Sequence, residues 1–154
     1  MKSRLFLLAA LFVALASVGC NKEPETPAVD YAKVIVGQWH CAPEGYDVDV
    51  YVSFEAEGTF NEYQRLGDGG YRHYTGTWSV EKDVLSGVYS DGVEWGSSYT
   101  ISFGGANMIL TATNDSAEAM TYVQTSIPDD VKNSAIAPFA LRSSDIDEAD
   151  SRWF

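Results

Sequence analysis

From residue 47 to 55 apolar and polar side chains alternate without a fault. Val48, Val50, Val52 and Phe54 fall on one face, and Asp47, Asp49, Tyr51, Ser53 and Glu55 on the other. A period of two over this length describes a strand with one face buried. The same rhythm, punctuated by Gly and Asp where the chain must reverse, predicts further strands over 33–41, 59–66, 71–80, 84–90, 93–103, 107–113 and 118–125. Glu57-Gly58, Gly67-Asp68-Gly69-Gly70, Glu81-Lys82-Asp83, Gly104-Gly105 and Asn114-Asp115-Ser116 supply connections, and Asp91-Gly92 is a strong two-residue hairpin signal. In the sixth segment Val93, Trp95, Ser97, Tyr99, Ile101 and Phe103 share a face, the heaviest aromatic stripe in the chain.

Eight strands joined by short loops are antiparallel, because tight turns cannot make a parallel crossover. A sheet of this size loses its exposed edges most completely by closing, and eight strands enclose room for packed side chains or one small ligand. The expected fold is therefore all-β: an eight-stranded antiparallel up-and-down barrel over 33–127, followed by a short helical extension over 128–154. Ser126-Ile127-Pro128-Asp129 resembles a helix start, and Asp145 with Glu148 suits a second short helix. Such elements would plug or cover one barrel end, giving Trp153-Phe154 an apolar surface to dock on.

The amino terminus has a different pattern. Lys2 and Arg4 precede an apolar run from Leu5 to Ala16, then Ser17, Val18, Gly19 and Cys20, the layout of a secretory signal over 1–19. The run is shorter than the roughly 20 residues that span a bilayer. Its end is similar to the bacterial lipobox, with Ser17 where Leu is usual, and this resemblance implies lipidation of Cys20. The stretch 20–32, with Pro24 and Pro27 among polar residues, reads as an extended tether. It resembles the lysine-plus-acid export signal of Bacteroidetes lipoproteins, which implies an outer-membrane protein on the cell surface.

The chain carries 10 Lys+Arg against 22 Asp+Glu, a net charge of −12; losing Lys2 and Arg4 leaves 8 against 22, or −14. That balance repels phosphate backbones and anionic lipid, so no nucleic-acid partner is expected and membrane attachment falls to the lipid alone. With Cys20 lipidated, Cys41 stands alone, and no disulfide supports the domain.

Gly37-Gln38-Trp39 on the first strand is similar to the first-strand motif of lipocalins, in which the tryptophan closes the base of the barrel. Phe54 through Gly58-Thr59-Phe60, and Gly76-Thr77-Trp78, resemble the strand and turn pattern of lipocalin-like domains in Bacteroidetes surface lipoproteins. The Thr-Asp-Tyr motif and the arginine near the last strand's end have no counterpart; Val123-Gln124-Thr125 stands there. The resemblance implies a lipocalin-like barrel and no particular ligand.

Catalytic and metal chemistry find little support. His40 and Cys41 are strand neighbours on opposite faces, and His73 is the only other histidine. Asp145, Asp147, Glu148 and Asp150 lack the spacing of an EF-hand loop. No Gly-x-Ser-x-Gly elbow is present, and Asp47, Asp49 and Glu55 point away from the apolar stripe of their strand. The expectation is no enzyme, no catalytic residues, no metal and no cofactor.

One feature resists simple packing. If Phe54 and Phe60 point inward across the Glu57-Gly58 turn, alternation sends Glu62 and Gln64 inward too, where unpaired polar groups cost about 1 to 3 kcal/mol each. Either a β-bulge after Phe60 turns Tyr63 and Arg65 inward instead, or the interior is a cavity whose polar groups meet a ligand. The bulge, or a solvated barrel mouth, is the favoured resolution. In the cavity reading Glu62, Gln64, Tyr74, Trp78, Trp95, Tyr99 and Tyr122 are the ligand-binding residues, suited to a small amphipathic molecule or glycan fragment. The functional expectation is a membrane-anchored binding protein, and the alternative a ligandless accessory module with a packed barrel and a protein partner.

Overall fold

The computed structural model describes residues 28–116, 118–137 and 152–154. A one-turn helix, α1 (Tyr31–Val34), leads into eight strands: β1 (Gly37–Cys41), β2 (Val48–Phe54), β3 (Thr59–Leu66), β4 (Arg72–Glu81), β5 (Val84–Tyr89), β6 (Tyr99–Gly104), β7 (Asn107–Ala112) and β8 (Ala119–Gln124). A short helix, α2 (Asp129–Ser134), follows. The predicted signal, Cys20 and the acidic stretch with its second helix at Asp145 and Glu148 lie outside the described residues.

Each strand pairs antiparallel with the next, and β1 pairs with β8 through Trp39↔Gln124 and His40↔Val123, so the sheet closes. This is the up-and-down barrel that alternation predicts. Val50, Val52 and Phe54 line its inside, while Asp49 and Tyr51 face outward, as the period of two requires.

Two predicted segments end differently. The chain at 33–36 is not strand: Tyr31–Val34 forms a helical turn, and β1 begins at Gly37, whose φ of 141° is a conformation that side chains rarely adopt. Ile35 after that turn is fully buried, and its carbonyl accepts the Trp39 indole N–H at 2.8 Å. Trp39 also meets Phe103, at the end of β6, and Phe103 stacks on Tyr31. α1 and Trp39 thus close one end of the barrel.

The other correction concerns 93–98. Only Tyr99–Gly104 is strand, and β5 meets β6 through just Val84↔Thr100 and Leu85↔Tyr99. The Asp91-Gly92 turn forms, with Val88 bridged to Glu94, but the chain then leaves the sheet. The departure comes after Trp95, whose backbone N–H still donates to the Gly87 carbonyl at 3.1 Å and whose indole lies over Gly87, where an added Cβ would overlap the ring. The expected stripe is broken accordingly, with Trp95 and Ile101 buried and Val93 and Phe103 substantially exposed.

Past β8 the chain runs outside the barrel. Gln38 Oε1 accepts the Ile127 N–H at 2.7 Å. Pro128 precedes α2 with no side-chain cap, and Ile136 pairs beside Tyr71 and His73 at the start of β4.

Candidate functional site

Strand β3 settles the fate of the interior carboxyl and amide. Its register with β2 runs unbroken from Phe54↔Phe60 through Val52↔Glu62 to Val50↔Gln64. The expected bulge after Phe60 is absent, and Tyr63 and Arg65 stay on the outer face. Glu62 and Gln64 therefore point inward and are buried at 0% and 2% exposure. No bulge forms: Tyr89 on β5 donates to one Glu62 oxygen, and a distant part of the chain answers Gln64.

That part is the segment 152–154, which enters the barrel at the end opposite α1, beside the β5–β6 turn. The Trp153 backbone N–H donates to Gln64 Oε1 at 2.8 Å, and its indole N–H donates to the Tyr122 hydroxyl at 2.6 Å. The Phe154 N–H donates to the Tyr89 hydroxyl at 3.2 Å; that hydroxyl lies 3.2 Å from Glu62 Oε2 and 3.3 Å from the Phe154 carbonyl oxygen, two acceptors for one proton. The Phe154 ring stacks on Trp95 at 4.3 Å and on Tyr122 at 6.5 Å, with Phe54, Phe60 and Tyr99 edge-on or tilted around it. At the rim Arg152 forms a two-pronged ion pair with Asp91 at 2.5 and 3.0 Å, its guanidinium 4.6 Å above the Tyr89 ring and 5.6 Å from Tyr74.

The electrostatics follow from this enclosure. Burial pushes the Glu62 carboxyl up to about 8, against the opposing pull of the Tyr89 hydrogen bond, the Trp153 N–H and the Arg152 charge. Glu62 is therefore mostly neutral near pH 7, which is how an acid tolerates an apolar interior. Its Oε1 has no partner among the described residues. Burial likewise raises Tyr99 to about 12 and Tyr122 well above its ordinary value, so both stay protonated hydrogen-bonding groups. At the rim the Arg152 hydrogen bond holds Asp91 below the usual carboxylate range.

Of the seven residues singled out from the sequence, Glu62, Gln64, Trp95, Tyr99 and Tyr122 converge on this segment, and Tyr74 lies beneath Arg152. Trp78 sits deeper, edge-on to Phe54, with its indole N–H on the Thr59 carbonyl. Sequence reasoning missed Tyr89, Asp91 and Arg152. Tyr89 was within reach, since it shares the inward face with Leu85 and Gly87; Asp91 and Arg152 meet across 61 residues and leave no local signal. A cavity of about 140 Å³ remains beside Trp153, lined by Tyr99, Leu110, Met120 and Tyr122, with Glu118 at its edge.

The outer face carries a separate polar cluster. His40 Nε2 lies 2.6 Å from one Asp49 oxygen, and the Tyr71 hydroxyl donates to the other at 2.6 Å. Burial opposes the Asp49 charge, but these bonds and the nearby Arg65 outweigh it and lower its pKa. Cys41 faces inward with its thiol pushed up to about 12 by burial. Among the described residues no group of three or more His, Cys, Asp or Glu is placed to hold a metal ion.

Over residues 35–110 the chain matches the family model of the lipocalin-like domain. No curated protein matches it. The match and the closed eight-stranded barrel agree on a lipocalin-like fold, an architecture that suggests ligand binding in general and names no ligand.

Proposed function

We propose that this is a binding protein, tethered to the outer membrane through lipid on Cys20 and facing the cell exterior, that holds a small amphipathic ligand inside its barrel without transforming it. One observation carries the reading: Glu62 and Gln64 are fully enclosed on the inner wall, yet Gln64 is answered by the Trp153 N–H of a segment that enters through the mouth, and one Glu62 oxygen has no partner among the described residues. Polar groups in an apolar interior cost about 1 to 3 kcal/mol each when unanswered, so walls that carry them suit an occupant with its own N–H groups. The aromatic wall of Trp95, Tyr99 and Tyr122 supplies flat apolar contact for such a molecule. A glycan fragment fits less well, because the rings here are buried edges and stacks, not an open platform.

Native mass spectrometry of the protein purified from its own host tests the reading: a co-purifying small molecule supports it, and mass equal to the bare chain plus lipid on every preparation speaks against it. Radiolabelled palmitate entering the wild type and not Cys20→Ala supports the anchor; equal labelling of the two refutes it. The second reading, a ligandless module, is favoured by the burial of Phe154 at 5% exposure, which fills the aromatic well beside Trp95. It predicts that no added compound displaces that ring.

A further inference from the structure

We propose that the barrel is a receptor for peptide segments in which a basic residue precedes two aromatic residues, and that Arg152-Trp153-Phe154 is a resident occupant competing with them. This deepens the binding reading above and rests on it.

Two of the polar interior groups, Gln64 Oε1 and the Tyr89 hydroxyl, accept consecutive main-chain N–H groups, at 2.8 and 3.2 Å. Consecutive N–H donors at that spacing are a property of polypeptide. Phe154 fills the aromatic well against Trp95, and Trp153 anchors on Tyr122 through its indole N–H. At the rim a cation is required by charge and by shape: Asp91 offers both carboxylate oxygens, and Tyr89 presents a ring face 4.6 Å away. Basic, aromatic, aromatic is therefore the order that the three subsites recognise, and it complements the −12 charge of the chain.

The resident also fits imperfectly. Among the described residues it leaves Glu62 Oε1 and Arg152 Nε buried without partners, and a cavity of about 140 Å³ beside Trp153. Each unanswered buried polar atom weakens the resident, so a site only partly satisfied by it can exchange it for an external segment of the same order. A competitor on the same chain masks the site from external peptides by the fraction of time it occupies it.

The test is fluorescence anisotropy with a fluorescein-labelled Gly-Gly-Arg-Trp-Phe-amide peptide on the full chain. Trp153→Ala with Phe154→Ala, introduced together, is expected to bind the peptide at least about tenfold more tightly than the wild type. A peptide with Glu in place of Arg is expected to lose at least about tenfold in affinity for that variant. Arg152→Glu, which keeps both rings and unhooks only the rim, is expected to give a rise of about threefold and stands in if the double variant does not fold. Equal affinity of wild type and variants overturns the resident's role as competitor, and so does ultracentrifugation showing dimers that trade the segment between copies. A folded double variant that takes up the apolar dye bis-ANS while ignoring the peptide overturns the peptide class and leaves the binding reading standing. Uptake of neither sinks both.

Discussion

The backbone N–H of Trp153 donates to Gln64 Oε1 at 2.8 Å, inside the barrel and across 89 residues of chain. Replacing the amide with a hydrocarbon of similar size, Gln64→Leu, strands that N–H in an apolar interior. The expected cost is about 1 to 3 kcal/mol, read as a lower midpoint in urea unfolding with an unchanged slope. A midpoint equal to the wild type would mean that the segment is not held there in solution.

Glu62 makes stability depend on pH in a direction opposite to most carboxylates. Its folded pKa of about 8 lies above the ordinary 4.5, so between these values the folded state binds more protons than the unfolded one. Stability is thus fully present below about pH 4.5 as far as this group is concerned, and is lost progressively as pH rises through 8. Glu62→Gln, which stays neutral throughout, is expected to flatten that decline and to gain on the wild type by a few kcal/mol at pH 9. Thermal unfolding of both proteins from pH 5 to 9 checks it. Parallel curves would contradict a neutral, enclosed Glu62.

Gly87 is expected to tolerate no side chain. Its added Cβ would overlap the Trp95 indole, so Gly87→Ala pushes that ring off Phe154 at a cost of about 1 to 3 kcal/mol. Gly96, where an added Cβ meets nothing within 4 Å, is the control, expected to change stability by less than about 0.5 kcal/mol on the same mutation. Equal effects in chemical denaturation would separate Trp95 from the reasoning.

Cys41 is expected to be inert while the barrel is closed. It is 1% exposed and its thiol is pushed up to about 12, so little thiolate exists to react. Iodoacetamide at pH 8 should leave the native protein unmodified over hours and label it on unfolding, as intact mass would show. Rapid native labelling would mean that the β1 side of the barrel opens.

How far the sequence foretold this molecule depends on the range of the interactions. Alternation from Val48 to Phe54, and the turns at Gly58 and Gly105, are local, and the closed eight-stranded barrel was legible from them. The helical turn at Tyr31–Val34 was not, because its four residues make about one turn, too few for a 3.6-residue period to repeat. The strand predicted over 93–103 is continuous only from Tyr99, because alternation does not register that the chain after Trp95 leaves β5 before pairing again. Glu62 and Gln64 were correctly marked as needing partners, and the favoured bulge was wrong. Glu62 is met by Tyr89 and Gln64 by Trp153, 27 and 89 residues along the chain, and no local periodicity encodes either meeting.

The claim on which the rest depends is that Phe154 occupies the place of a ligand. A nuclear Overhauser spectrum of the full chain with labelled phenylalanine tests it most directly. The account predicts cross-peaks from the Phe154 ring to Trp95 and Tyr122 in the free protein, fading in step with added Gly-Gly-Arg-Trp-Phe-amide as that peptide's own ring acquires them. Phe154 cross-peaks that persist when the peptide is bound, or that are missing before it is added, would contradict it.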